Sequence, residues 1–118
     1  MDAELVKSKL RQQFPQGDIF VGDGIIGTEV ERTDESSSVV AYMDHERPHY
    51  HNRTSETYYV EDGELSLHEA GRVHVLKEGE EYTIRPGKVH SASGEQTRVR
   101  ITSFPPRDGE DYTVPFKK

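Results

Sequence analysis

The sequence predicts an all-β domain, an antiparallel barrel with Greek-key returns preceded by one short helix. Two observations in the middle of the chain carry this. Gly63, Gly71, Gly79 and Gly87 recur at every eighth position, and the segments between them have the length of short strands joined by turns. On either side lie runs rich in valine, isoleucine, threonine and tyrosine, the residues that suit a half-buried pleated surface. A third observation sets the amino terminus apart, because helical spacing of apolar residues occurs only there.

In chain order, Asp2 can cap a helix over residues 3–13, with Leu5, Val6, Leu10 and Phe14 as its apolar stripe, and Pro15-Gln16-Gly17 ends it. The stripe needs cover, either from the barrel or from a partner subunit. Strands are expected at residues 19–21 and 25–32, on either side of Gly22-Asp23-Gly24, followed by a polar loop over 33–38. A further strand from Val39 leads into Glu46-Arg47-Pro48, read as a corner that delivers His49. The run after Glu56 ends at the Asp62-Gly63 turn, residues 64–70, 72–78 and 80–86 form the glycine-spaced strands, and residues 97–104 close the sheet. Pro105-Pro106 stops it. The expected organisation is one domain: an arm (1–16), a barrel (17–104) and an extended surface tail (105–118).

The chain has 118 residues, an apolar share of 31% and a mean hydropathy of -0.86, which suit a small barrel with a wet outer face. Its net charge of -7 opposes binding to nucleic acid or to an anionic membrane surface. The absence of cysteine removes disulfides, thiolate ligands and thiol nucleophiles, so any metal must be held by histidine and carboxylate. No stretch resembles a signal peptide or a membrane span, and a cytoplasmic location is expected.

The chemistry concentrates between His49 and Gly63. On an extended strand His49 and His51 point to one side and Tyr50 to the other. A polar turn can bring Glu56 in as a third ligand, and His90, after the Pro86-Gly87 turn, is available as a fourth. The spacing H-x-H-x4-E-x6-G at His49, His51, Glu56 and Gly63, with G-x2-H at Gly87 and His90, resembles the two signature motifs of the cupin superfamily. Met43, Arg85 and Gly94 depart from the family pattern without touching a ligand position. The resemblance implies a double-stranded jelly roll in which His49, His51, Glu56 and His90 bind one divalent transition metal. The ion could be Fe, Mn, Co, Ni, Cu or Zn, since the donor set suits each of them.

Alternation places Tyr58 and Val60 on the same side as Glu56, so Tyr58 is a candidate substrate contact. Arg47, Arg53 and Arg100 could each hold a substrate carboxylate or phosphate, or could pair with acidic neighbours. His68 and His74 are expected to face solvent, and His45 is ambiguous because Pro48 interrupts its register. The resemblance implies a metal-dependent enzyme acting on a small oxygenated metabolite, of dioxygenase or of isomerase, epimerase or lyase type. The alternatives are a sugar- or metabolite-binding module and a storage or structural protein. A homodimer is expected, from the helix stripe and from the family's habit of pairing through its sheets.

Overall fold

Asp2 begins the helix as expected: its carboxylate accepts the Leu5 N–H at 3.1 Å, and α1 (Ala3–Gln13) ends where the Phe14 N–H donates to the Leu10 carbonyl at 2.8 Å. The computed structural model describes residues 1–115. Val6 and Leu10 of the helix are buried against Ile26, Val40 and Tyr42 on the outer face of the sheet. The stripe that suggested a homodimer is therefore largely covered by the chain's own barrel, with Leu5 left exposed.

Among the described residues eight strands follow: β1 (Ile19–Gly22), β2 (Ile25–Arg32), β3 (Ser37–His49), β4 (Ser55–Asp62), β5 (Glu64–Glu69), β6 (Arg72–Lys77), β7 (Glu81–Ile84) and β8 (His90–Phe104). All pairings are antiparallel. The order runs β1-β2-β3-β8-β4-β7, and β5 joins β6 to β8. The closing strand is thus much longer than residues 97–104. It starts at His90, so one strand carries a site residue at one end and barrel core at the other. Its interior bends at residues 94–96, where Gln96 has φ 49° and the β3–β8 register shifts. Gly94 belongs to this bend: a Cβ there would lie 2.6 Å from Thr97 Oγ1 and 3.0 Å from the Met43 carbonyl oxygen.

The expected corner at Glu46-Arg47-Pro48 is instead a bulge inside β3. Glu46 pairs with Ala92 and His49 with His90, so Arg47 and Pro48 together oppose Ser91 alone. Proline is tolerated there because a bulged residue has no ladder bond to lose. The extra residue reverses the alternation, so Glu46 and His49, three apart, are both buried while Arg47 and Pro48 are exposed. His45 faces solvent because a separate register shift, between Met43 and His45, breaks its alternation with buried Met43.

The core within the barrel gathers Val39, Ala41, Met43, Tyr58, Val60, Leu65, Leu67, Ile84, Ala92, Val99 and Ile101. One alternation is opposite to expectation. Val73 and Val75 are exposed, whereas His74 is half-buried and stacks on Tyr82 at 4.0 Å. The β5–β6 register explains this by pairing His74 with Leu67 and Leu76 with Leu65, which puts the histidine in the core-facing row. His68 is exposed as expected. No helix among the described residues is long and apolar enough to cross a membrane.

Leu10 anchors the helix, and its truncation leaves a cavity at that outer interface. Leu10→Ala is expected to lower unfolding stability by about 2–5 kcal/mol in a denaturant titration while leaving metal affinity unchanged.

Candidate metal centre

His49 is the last residue of β3, Glu56 the second of β4 and His90 the first of β8, while His51 lies just past the isolated bridge between Tyr50 and Thr113. One donor atom from each of the four residues falls within 4.8 Å of all the others. Glu56 Oε1 is 3.0 Å from His51 Nε2 and 3.1 Å from His90 Nε2. Ligands on bonds of about 2.1 Å around one ion lie about 3 to 4.2 Å apart, so small side-chain adjustments complete a coordination shell.

The tautomers are set by the backbone. His49 Nδ1 faces the Arg47 carbonyl at 2.9 Å, His90 Nδ1 faces the Lys88 carbonyl at 2.9 Å, and His51 Nδ1 faces the Asp111 carbonyl. A carbonyl can only accept, so each Nδ1 carries the proton and donates it. Each neutral ring then presents its Nε2 lone pair to the cluster. His51 Nε2, although close to Glu56, has no well-aligned hydrogen bond, as expected if both atoms point toward a shared third position. Three lone pairs and a carboxylate fit a divalent cation.

Without an ion, protons must do part of that work. Burial would depress His51, but the Glu56 carboxylate 3.0 Å from its Nε2 prevails and raises it to about 9. Burial would likewise raise Glu56, yet the His51 and His90 imidazoles against its Oε1 hold it well below the usual carboxylate range. His49 has no such partner, and burial lowers it to about 4. Burial, reinforced by the Glu56 charge, lifts Glu46 to about 8.

The carboxy-terminal segment completes the site. Asp111 is buried, and its carboxylate accepts the Asn52 N–H at 2.6 Å, the Arg53 N–H at 3.0 Å and the Thr54 hydroxyl at 3.1 Å. One side chain thus fixes the turn after His51, while its own carbonyl orients the His51 ring. Tyr112 stacks on His49 at 4.7 Å, and Tyr50 and Thr113 exchange backbone hydrogen bonds at 2.9 and 3.0 Å. The expected surface tail is, over residues 107–113, a strap across the site; residues 116–118 lie outside the described residues.

A cavity of about 600 Å³ opens beside the cluster, walled by Phe20, Ile25, Val39, Ile101, Tyr58 and Tyr112. Tyr58 is buried and donates its hydroxyl to Glu56 at 3.3 Å. Arg47 stands exposed at the rim, paired with Asp23 at 3.0 Å. Gly24 brings that aspartate into place: with φ 68° its backbone packs so close to the His45 carbonyl that a Cβ would sit 2.0 Å from the oxygen. Arg107, unremarked in the sequence, also lines the rim, 4.3 Å above the Phe20 ring. Arg100 does not reach the cavity. It lies between inward-facing Val99 and Ile101, so it projects from the outer face and pairs with Glu61 at 3.5 Å. Arg53 pairs with Asp108 at 2.9 Å.

Two outcomes follow from this geometry. Asp111→Ala frees both the 52–54 turn and the His51 carbonyl partner, and Zn(II) affinity measured by calorimetry is expected to drop by about 10- to 100-fold. The second concerns the metal-free protein. His51 and Glu46 have folded values above their unfolded ones, so their contributions are full at low pH and are lost as pH rises toward 9 and 8 respectively. His49 and Glu56 are depressed, and their contributions are lost on acidification below about 6.5 and 4.5. Melting temperature of the metal-free chain should therefore peak near pH 5 to 6.5 and fall toward pH 9; a flat profile between pH 6 and 9 would contradict these assignments.

No curated protein matches the sequence. Among solved structures, Pac13 of Streptomyces, a nucleoside dehydratase solved with uridine, is similar at 18% identity over 88% of each chain, with a TM-score of 0.78. KdgF from Halomonas is 23% identical over 82% of this chain and 95% of its own, with a TM-score of 0.73. An RmlC-like cupin from Shewanella frigidimarina is 24% identical over 82% of this chain and 90% of its own, with a TM-score of 0.66. These likenesses are of fold. The Cupin domain family matches residues 39–104, more than half of the chain and a span that contains all four clustered donors. The chain belongs to the cupin family.

Proposed function

We propose that this cupin is a divalent-metal-dependent enzyme, with His49, His51, Glu56 and His90 as the metal ligands and a small oxygenated metabolite as substrate. The observation that carries the reading is the backbone control of all three imidazoles, which turns every Nε2 lone pair toward one carboxylate. When bound, a divalent ion would polarise a substrate oxygen and acidify an adjacent C–H bond.

The chain's own groups supply the rest. Tyr58 holds Glu56 by its hydroxyl and offers a ring edge to the cavity, and Tyr112 braces His49. Arg47, tied to Asp23, and Arg107, over Phe20, give the rim two guanidinium groups that suit an anionic substituent. Isomerase, epimerase or lyase chemistry fits this wall best, because two side chains able to exchange protons, Glu46 and Tyr58, adjoin the ligands. That a structural neighbour is a nucleoside dehydratase agrees with such chemistry at the level of fold. Oxygen-dependent cleavage is the second reading, favoured by the apolar side formed by Phe20, Ile25, Val39 and Ile101.

Protein purified without chelator is expected to carry about one transition-metal ion per chain by elemental analysis, and His51→Ala to lose it. In D2O the loaded protein should exchange solvent deuterium into hydroxy-carbonyl compounds, read by NMR, without consuming oxygen. Oxygen uptake without exchange would replace this reading by dioxygenase chemistry. Tight ligand binding with neither would make the chain a binding module.

A further inference from the structure

Glu46 is a carboxylate with no evident structural task. It is 8% exposed, and its Oε1 has no hydrogen-bond partner among the described residues. The basic group beside it is His49, whose Nε2 lies 3.9 Å from Oε1, beyond bonding distance and presenting a lone pair, since the proton of that ring is donated from Nδ1 to the Arg47 carbonyl. The Tyr58 hydroxyl is committed to Glu56, and the Arg47 guanidinium to Asp23. Phe20, Ile25, Val39 and Ile101 of the cavity wall carry no donor, and the Ser103 and Tyr112 hydroxyls and the Arg107 guanidinium, which also line the cavity, make no hydrogen bond to Glu46 Oε1.

The backbone makes this placement deliberate in a physical sense. In a regular strand ending at His49, residue 46 would face outward, where a glutamate is freely solvated. Two register shifts, one between Met43 and His45 and one at the Arg47-Pro48 bulge, turn it inward beside the cluster instead. A buried acceptor without a donor is destabilising, so its retention here is accounted for by a donor that arrives with the ligand.

We propose that Glu46 is a substrate-binding residue that accepts a hydroxyl of the ligand, and that the cavity selects molecules carrying this hydroxyl on the carbon next to the oxygens held at the metal. This rests on the metal-centred reading above. Because Glu46 lies 3.9 Å from a ligand nitrogen, the donor must sit within a few bonds of the ion-bound oxygen. That geometry describes vicinal dihydroxy acids and hydroxylated carbonyl compounds, and it disfavours their deoxy counterparts. Tyr112 and Phe20 then face the carbon-bound hydrogens of the same molecule.

The probes are glycerate and lactate, titrated into Co(II)-loaded protein and followed by the visible absorption of the ion. Both offer a carboxylate and an α-hydroxyl to the metal, and only glycerate has the second hydroxyl. Glycerate is expected to bind at least about tenfold more tightly than lactate, with the ratio falling toward one in Glu46→Ala. Glu46→Gln keeps the shape and one accepting oxygen, should keep part of the preference, and serves in place of the alanine variant if that does not fold. Equal affinities in the wild type, or a ratio unchanged by Glu46→Ala, overturn the proposal while leaving the metal centre standing. Failure of Co(II) to bind overturns both.

Discussion

Everything at this site depends on three backbone carbonyls. Those of Arg47, Lys88 and Asp111 each accept an imidazole Nδ1 proton, and so decide which nitrogen of His49, His90 and His51 is left to ligate. Two of the three lie two residues before the histidine they orient, which makes the control local and tied to the bulge in β3 and the turn before β8. The third comes from sixty residues away. His51 is outside any strand, and without the strap nothing in its own segment would fix its ring.

The strap and the bulge solve related problems. A sheet presents residues at a period of two, which places His49, Glu56 and His90 but cannot by itself surround a point. The bulge adds Glu46 to the inner face out of period. The strap adds Tyr112 above His49 and closes one side of the cavity with residues 107–109. Irregular backbone thus supplies the parts of the pocket that a regular barrel leaves open.

Much of this was legible in the sequence, for identifiable reasons. The glycine spacing marked real turns, since Gly63, Gly71, Gly79 and Gly87 all have positive φ. The H-x-H spacing, Glu56 and His90 pointed to a cluster because metal ligation constrains residue type as well as position. Glu46 was missed because alternation was counted across a bulge whose register only pairing with Ala92 and His90 reveals. His74 was misplaced because two flanking valines outweighed it locally, whereas its row was set by Leu67 on the neighbouring strand. Asp111 was invisible: an aspartate in a terminal segment looks like a solvated charge until the donors of a distant turn surround it. Local chemistry could be read; long-range pairing could not.

The composition of the site bears on the stability of the fold as well as on chemistry. Glu46, Glu56, His49 and His90 are buried, with His51 nearly so, in a chain whose apolar share is only 31%. The inner core is small, and these polar groups adjoin it through Tyr58 and Ile84. Protons can satisfy part of the cluster, through the His51–Glu56 contact, but His49 gains nothing from that arrangement and Glu46 is left opposing Glu56. A cation answers the repulsion and all the lone pairs together. Ligand geometry and barrel closure are then one equilibrium, because an ion that binds only the folded chain stabilises it in proportion to its occupancy. An ion held in such a barrel would thus be a structural element as much as a reagent, and the same four side chains would answer to both demands.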